Sequence, residues 1–259
     1  VTQVAQSTTL QRRANFRKAQ TRFTKSRRTE IDYARKLRSI ARQVGVIVSG
    51  FAPNGVVQDQ PMLVGALNRY AEMIVPWAKT VASRMLYDIQ RRDEAMWKEM
   101  GDEIGRNLKR EIENAPLGRM MSEALEQQVT LIASLPREAA RRVQDITLLM
   151  LSDSTRSSEL RDEIMRTGEV TKSRANLIAR TEVARTATEL TKARSEAAGV
   201  THYIWRTSGD TDVRESHKKM NGKTFAFNAP PEVEPGKHYH AGQFPNCRCY
   251  CEPIVPEEE

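Results

Sequence analysis

The stretch HAGQFPNCRCYC, residues 240–251, holds all three cysteines of this 259-residue chain: Cys247, Cys249 and Cys251. Three of its four histidines, His217, His238 and His240, lie within about 30 residues upstream of Cys247. Thiolate and imidazole are zinc ligands, taken four at a time in a tetrahedron, with Zn–S near ~2.3 Å and Zn–N near ~2.1 Å. On an extended strand, Cys247, Cys249 and Cys251 would share one face. Two cysteines at Cys-x-Cys spacing share an ion only if the backbone bends, and Pro245-Asn246 lies where that bend is needed. The expected ligand set is His217, His240, Cys247 and Cys249, holding zinc in a structural role. It would tie a short helix, a loop and a strand together, with His238 and Cys251 as alternative donors. The residues alone leave two other readings open: cysteines buried as small apolar side chains of a strand, and a disulfide or catalytic thiol.

Arg206, Asp210, Arg214 and His217 form a second group with chemical potential. A hydrolase needs a positioned base and either a nucleophile or an open metal position. No serine or cysteine motif marks a nucleophile here. Turn capping and a buried ion pair are therefore the expected roles of Asp210 and Arg214, and no enzymatic activity is expected. The alternative is a metal-dependent hydrolase built on the His/Cys cluster.

The elements that must position these residues are mostly helices. Residues 9–44 lack Gly and Pro and read as one basic helix with a thin apolar stripe. Gly45 to Gly55 reads as a turn. Leu63, Leu67, Tyr70, Ile74, Trp77, Val81 and Met85 then recur at spacings of three and four, which marks the core-facing stripe of a long helix. Pro76 should kink or restart it. Helices are expected over 91–114, 119–133, 136–152 and 155–167, with Pro136 opening one and Gly168 closing another. Thr171 is the expected N-cap of a helix that ends at Gly199 and carries a narrow small-residue face. After Gly199 the pattern changes to strands at 203–205, 223–227 and 248–255, with a short helix over 212–220. The fold class expected is mainly α with a small C-terminal α+β module and an extended helical N-terminal region. The expected division is a basic helical arm (1–60), a helical body (61–170) and a C-terminal module (171–259).

Net charge is +8, and residues 1–60 hold twelve Lys/Arg against three acidic residues. Such a block points to a polyanionic partner, nucleic acid or an acidic protein surface. The candidate contacts are Arg12, Arg13, Arg17, Lys18, Arg22, Lys25, Arg27, Arg28, Arg35 and Arg38. No apolar run approaches the ~18 residues of a membrane span, so no membrane partner is expected. Three clustered cysteines are not a spread disulfide framework, and no secretory apolar segment opens the sequence, so synthesis in a reducing cytoplasm is expected.

Several separated motifs occur in order: Ser173 to Glu182 (SRANLIARTE), then Trp205, Asp210, Arg214, His217 and Gly222, and finally Asn246-Cys247-Arg248-Cys249. Over residues 125–255 this pattern resembles the phage head morphogenesis domain of the Mu F-like and SPP1 gp7-like minor head proteins. The resemblance implies a minor capsid-associated protein of a tailed phage, acting in head morphogenesis at the portal vertex. It implies a place in the virion's head interior, after assembly in the host cytoplasm. The partners it implies are the portal protein, packaged double-stranded DNA, and scaffold or major capsid protein. Carried over by position, the motif residues are Arg180, Thr181, Glu182, Asp210, Arg214, His217, His240, Cys247 and Cys249. Glu182 is expected as a buried acceptor for Arg206 or Arg214. Cys251 departs from the two-cysteine ending of the pattern.

Overall fold

The computed structural model of the chain describes residues 27–52, 57, 59–101, 115–152 and 157–254. The fold class is as expected: helices dominate, and short antiparallel strands occur in a small C-terminal module. The helices are α1 (27–50), α2 (Gln60–Met73), α3 (Val75–Gly101), α4 (Gly118–Ser152), α5 (Ser157–Met165) and α6 (Thr167–Ala197). They are followed by β1 (His202–Arg206), α7 (Glu215–Lys218), β2 (Thr224–Ala226), β3 (Glu232–Glu234), β4 (Lys237–His238) and β5 (Tyr250–Pro253). Among the described residues no helix is long and apolar enough to cross a membrane. The described residues fall into two compact units, one within 27–30, 87–119 and 180–254, the other within 31–86 and 120–179. α1, α3 and α6 each contribute residues to both units.

The all-helical unit has a continuous set of buried apolar side chains. Tyr33, Leu37, Ile40, Val44 and Val48 of α1 are buried at helical spacing. The described part of the expected arm is thus core-forming from Tyr33 onward. The stripe through α2 and α3 buries Leu63, Leu67, Ile74, Val81 and Met85 as expected, but Ala71 and Ala78 replace Tyr70 and Trp77 in the deepest positions. Asp59 caps α2 by accepting the Met62 amide hydrogen at 2.9 Å. The helix restarts at Val75 with Pro76 in its first turn, where a missing amide hydrogen costs nothing.

Three local expectations are corrected here. Pro136 does not open a helix but lies inside α4, which is unbroken from Gly118 to Ser152. Ile132, Ala133, Leu135, Ala139, Ala140 and Val143 are buried on either side of it. Burying that stripe outweighs the ~3 kcal/mol that an interior proline costs. Thr171 is not a cap. It sits within α6, and its hydroxyl donates to the Thr167 carbonyl at 2.8 Å. Gly45 and Gly168 are not turn and stop but helical residues that face each other. A Cβ on Gly168 would lie 3.1 Å from the Gly45 Cα, whereas one on Gly45 would meet Gly168 at an ordinary 3.8 Å.

The two glycines should therefore respond differently to alanine. Gly168→Ala forces backbone apart and is expected to cost about 1–3 kcal/mol despite better helix propensity. Gly45→Ala gains the propensity without the clash and should be neutral or stabilising by up to about 1 kcal/mol. Thermal unfolding of the two variants checks this; equal effects would refute the close approach.

The mixed unit is built on the sheet β2-β1-β5, antiparallel throughout. Tyr203 pairs with Phe225 and with Pro253, and Trp205 pairs with Cys251. Alternation along β1 buries Tyr203 and Trp205 on one face. They centre a core with Trp97, Val200, Phe227, Val233, Phe244 and the three cysteines. Gly199 ends α6 in the left-handed region (φ 68°), and the Val200 amide hydrogen returns to the Ser195 carbonyl at 2.8 Å. Between β2 and β5 lies a small hairpin, β3-β4, turned at Pro235-Gly236.

Candidate metal centre

Residues 207–223, between β1 and β2, carry Asp210, Arg214 and His217. Their base is closed by backbone bonds from Trp205 to Lys223 and Gly222, and by the Thr207 amide hydrogen on Asn221 Oδ1 at 3.0 Å. One short turn of helix, α7, points His217 inward. Its ring lies edge-on between Trp205 and Phe244, with centroids at 5.4 and 5.6 Å.

The cysteines reach the same point through a bend. Asn246 adopts φ 60°, a conformation that asparagine tolerates better than most residues, and its amide hydrogen is fixed on Thr181 Oγ1 at 2.9 Å. The Cys249 amide hydrogen then turns back onto Cys247 Sγ at 3.3 Å. The loop is wedged beside α6 at Gly242 (φ 94°), where a Cβ would lie 2.6 Å from Thr188 Oγ1 and 2.8 Å from the Cys249 carbonyl oxygen. No side chain fits there.

The result is a buried triad. Cys247 Sγ and Cys249 Sγ lie 3.4 and 3.5 Å from His217 Nδ1. The ligand edge of a tetrahedral zinc site with one nitrogen and one sulfur is ~3.6 Å, from bond lengths of ~2.1 and ~2.3 Å. The three donors can hold a metal ion between them, since all lie within 4.8 Å of one another. Hydrogen bonds from the Cys249 thiol and from His217 hold the Cys247 thiol below its ordinary range against the opposing effect of burial. Cys249 is raised correspondingly, since its proton is the one shared with Cys247 and burial disfavours a second charge. His217 Nε2 is buried without a hydrogen-bond partner.

His240 is not part of the triad. Its Nδ1 lies 3.0 Å from the Tyr203 hydroxyl, and it makes a second hydrogen bond to the Phe227 backbone. The reason lies in β1: His240 packs on Tyr203 and His217 packs on Trp205. Those positions are two residues apart on one strand face, ~7 Å, about twice the separation two ligands of one ion allow. Burial first, then the charge of Lys192, pushes His240 down to about 4, so it stays neutral. His238 is exposed on β4 beside the Pro230 carbonyl. Cys251 lies on β5 opposite Trp205, and its thiol donates to the Ala241 carbonyl at 3.8 Å. The three cysteines thus do not share one strand face; only Cys251 is in a strand.

Arg248, between the two cysteines of the triad, is the residue that the sequence reading left without a role. It grips Glu30 with two nitrogens at 2.9 and 3.0 Å and reaches Asp210 Oδ2 at 3.3 Å. Arg180 approaches the same Glu30 carboxylate at 3.5 Å. The turn that aims both sulfurs is therefore held from outside by a charge network. Its position inside Cys-x-Cys was the available signal for Arg248, while Glu30, 218 residues away, offered none.

The remaining expectations resolve as follows. Glu182 is buried, but its partner is Arg185 at 3.1 Å on the same helix. Arg206 instead pairs with Glu252 across the sheet. Asp210 and Arg214 are not each other's partners: Arg214 donates to the Pro245 carbonyl at 3.2 Å and lies over the Phe244 ring. Arg12, Arg13, Arg17, Lys18, Arg22 and Lys25 lie outside the described residues. Arg27 and Arg28 are exposed at the start of α1. Arg35 pairs with Asp32 at 2.9 Å, and Arg38 donates to Asn176 Oδ1 at 3.0 Å.

Residues 137–252 match the family described as Phage Mu protein F like protein. A Haemophilus influenzae protein described as uncharacterized is 31% identical over 131 residues, 51% of this chain and 28% of that protein. The chain thus spans well under two thirds of that relative's length. No solved structure matches the chain. The matched segment contains every residue of the triad as well as Arg180, Asp210 and Arg248. Over residues 137–252, the chain is similar to the phage Mu protein F-like family.

Proposed function

We propose that the chain is a minor head protein of a tailed bacteriophage, acting in head morphogenesis at the portal vertex. The match of residues 137–252 to a phage head protein family carries this reading. On this reading the protein assembles in the host cytoplasm and resides in the head interior near the portal. Its partners are the portal protein, scaffold or major capsid protein, and packaged double-stranded DNA. The cationic residues of the first 60 support DNA contact, because displaced counterions give an affinity blind to sequence and steep in salt. The triad of His217, Cys247 and Cys249 holds zinc, which ties the excursion after β1 to the loop before β5. Metal-dependent hydrolysis is the second reading, favoured by the convergence of three protein donors, not four, among the described residues.

The test is retention of the full chain on immobilised portal protein of the same phage, with DNA affinity measured in parallel. Retention is expected, with DNA affinity falling about a thousandfold between 50 and 200 mM salt if some six phosphates are contacted. Deleting residues 1–26 should remove the DNA affinity while sparing the core that begins at Tyr33. No retention, together with cleavage of DNA or peptide, replaces this reading with the hydrolase. A flat salt response removes the phosphate contacts.

A further inference from the structure

Among the described residues three protein donors meet at the centre, and a tetrahedral ion takes four. The two side chains best placed along the sequence to be the fourth are committed elsewhere. His240 is held by Tyr203 and Phe227, and Cys251 by Ala241. The triad instead lines a small cleft together with Asp210, Arg214 and Arg180. That cleft has about 20 Å³ of free space, enough for one water molecule or an atom of a small anion. Asp210 stays in place at its edge through Arg248, the residue between the two cysteines.

We propose that the fourth coordination position of the metal is exchangeable: it opens on the Asp210 cleft and is taken by water or a small anion instead of a fourth side chain. This rests on the metal reading above. Closed zinc sites use four protein ligands, and sites with three keep a position for an exogenous donor. The cleft suits both kinds of donor. The Asp210 carboxylate accepts a hydrogen bond from water, and the nearby guanidinium groups of Arg180 and Arg214 favour an anion. Asp210 is one of the residues in the motif order, yet it pairs with Arg248 and not with Arg214. Its position at the mouth of the triad gives it a second role, setting which donor the ion accepts.

Cobalt(II) is the probe, loaded into the full chain in place of zinc, with azide as the competing anion. One cobalt per chain is expected, with a thiolate-to-cobalt charge-transfer band and a d–d envelope that changes on azide titration. In the cobalt-loaded protein, Asp210→Asn should tighten azide about tenfold, since it removes one negative charge from the cleft lining. His240→Ala should leave the d–d envelope unchanged. A saturated cobalt spectrum indifferent to azide, or one altered by His240→Ala, overturns the open position and leaves the metal reading standing. Absence of any thiolate-to-cobalt band overturns the metal reading itself.

Discussion

Cys247→Ser combined with Cys249→Ser is expected to abolish metal binding and unfold the β2-β1-β5 module, while the unit of residues 31–86 and 120–179 keeps its helices. Structural zinc contributes on the order of 10 kcal/mol in small modules, because the site exists only in the folded state. This module has little else of that size. Its sheet has three short strands, and its core is one aromatic cluster closed by the cysteines themselves. Near-ultraviolet circular dichroism, together with proteolysis after Gly199, reads the loss. Chelation of the wild-type protein should reproduce it, and acidification should too, since protons compete with the ion for both sulfurs and the imidazole. His217→Ala should behave as the double variant does. His240→Ala should differ: it forfeits hydrogen bonds worth about 1–3 kcal/mol yet retains the ion. An unfolding profile unmoved by both chelator and the double substitution would leave the cysteines as buried apolar side chains.

Arg194→Met is expected to destabilise the protein by about 3–5 kcal/mol at neutral pH, because it strands a buried carboxylate. Arg194 Nε lies 2.6 Å from Asp93 Oδ2, with both side chains only 5% exposed. Thr191 donates a further hydrogen bond to Asp93 at 3.2 Å. Burial pushes the Asp93 carboxyl up to about 6, with Arg194 as the main opposing influence. Without Arg194 it rises further. The folded state then holds the proton more tightly than the unfolded chain, whose carboxyl titrates near 3.8. The stability that this proton supplies is complete below about pH 4 and is lost as pH rises through 6 and beyond. The deficit of the variant relative to wild type should therefore be small at pH 5 and full at pH 8, as read by urea unfolding. A deficit equal at the two values would mean that Asp93 is not the group left behind.

The helical class, the strands expected at 203–205 and 223–227 and the stop at Gly199 were legible in the sequence because each depends on neighbours a few residues away. Alternation reports a half-buried strand, three-four spacing reports a helix face, and a glycine at positive φ reports its own end. Errors came where packing outvoted a local signal. Pro136 and Gly45 are both breakers in isolation, and both sit inside helices whose buried faces continue past them.

At the candidate centre, the donor types and the bend at Pro245-Asn246 were determined by the sequence alone, and so was the motif order that carries the family. Which donors meet was decided only by the tertiary structure. His217 and His240 are both plausible by spacing, and β1 separates them by placing one over Trp205 and the other over Tyr203. Arg248 and Glu30 likewise became partners only through the fold. Residue type fixes what a side chain can bind, but the distance between two side chains remote in the chain depends on how every intervening element packs, and no local pattern encodes it.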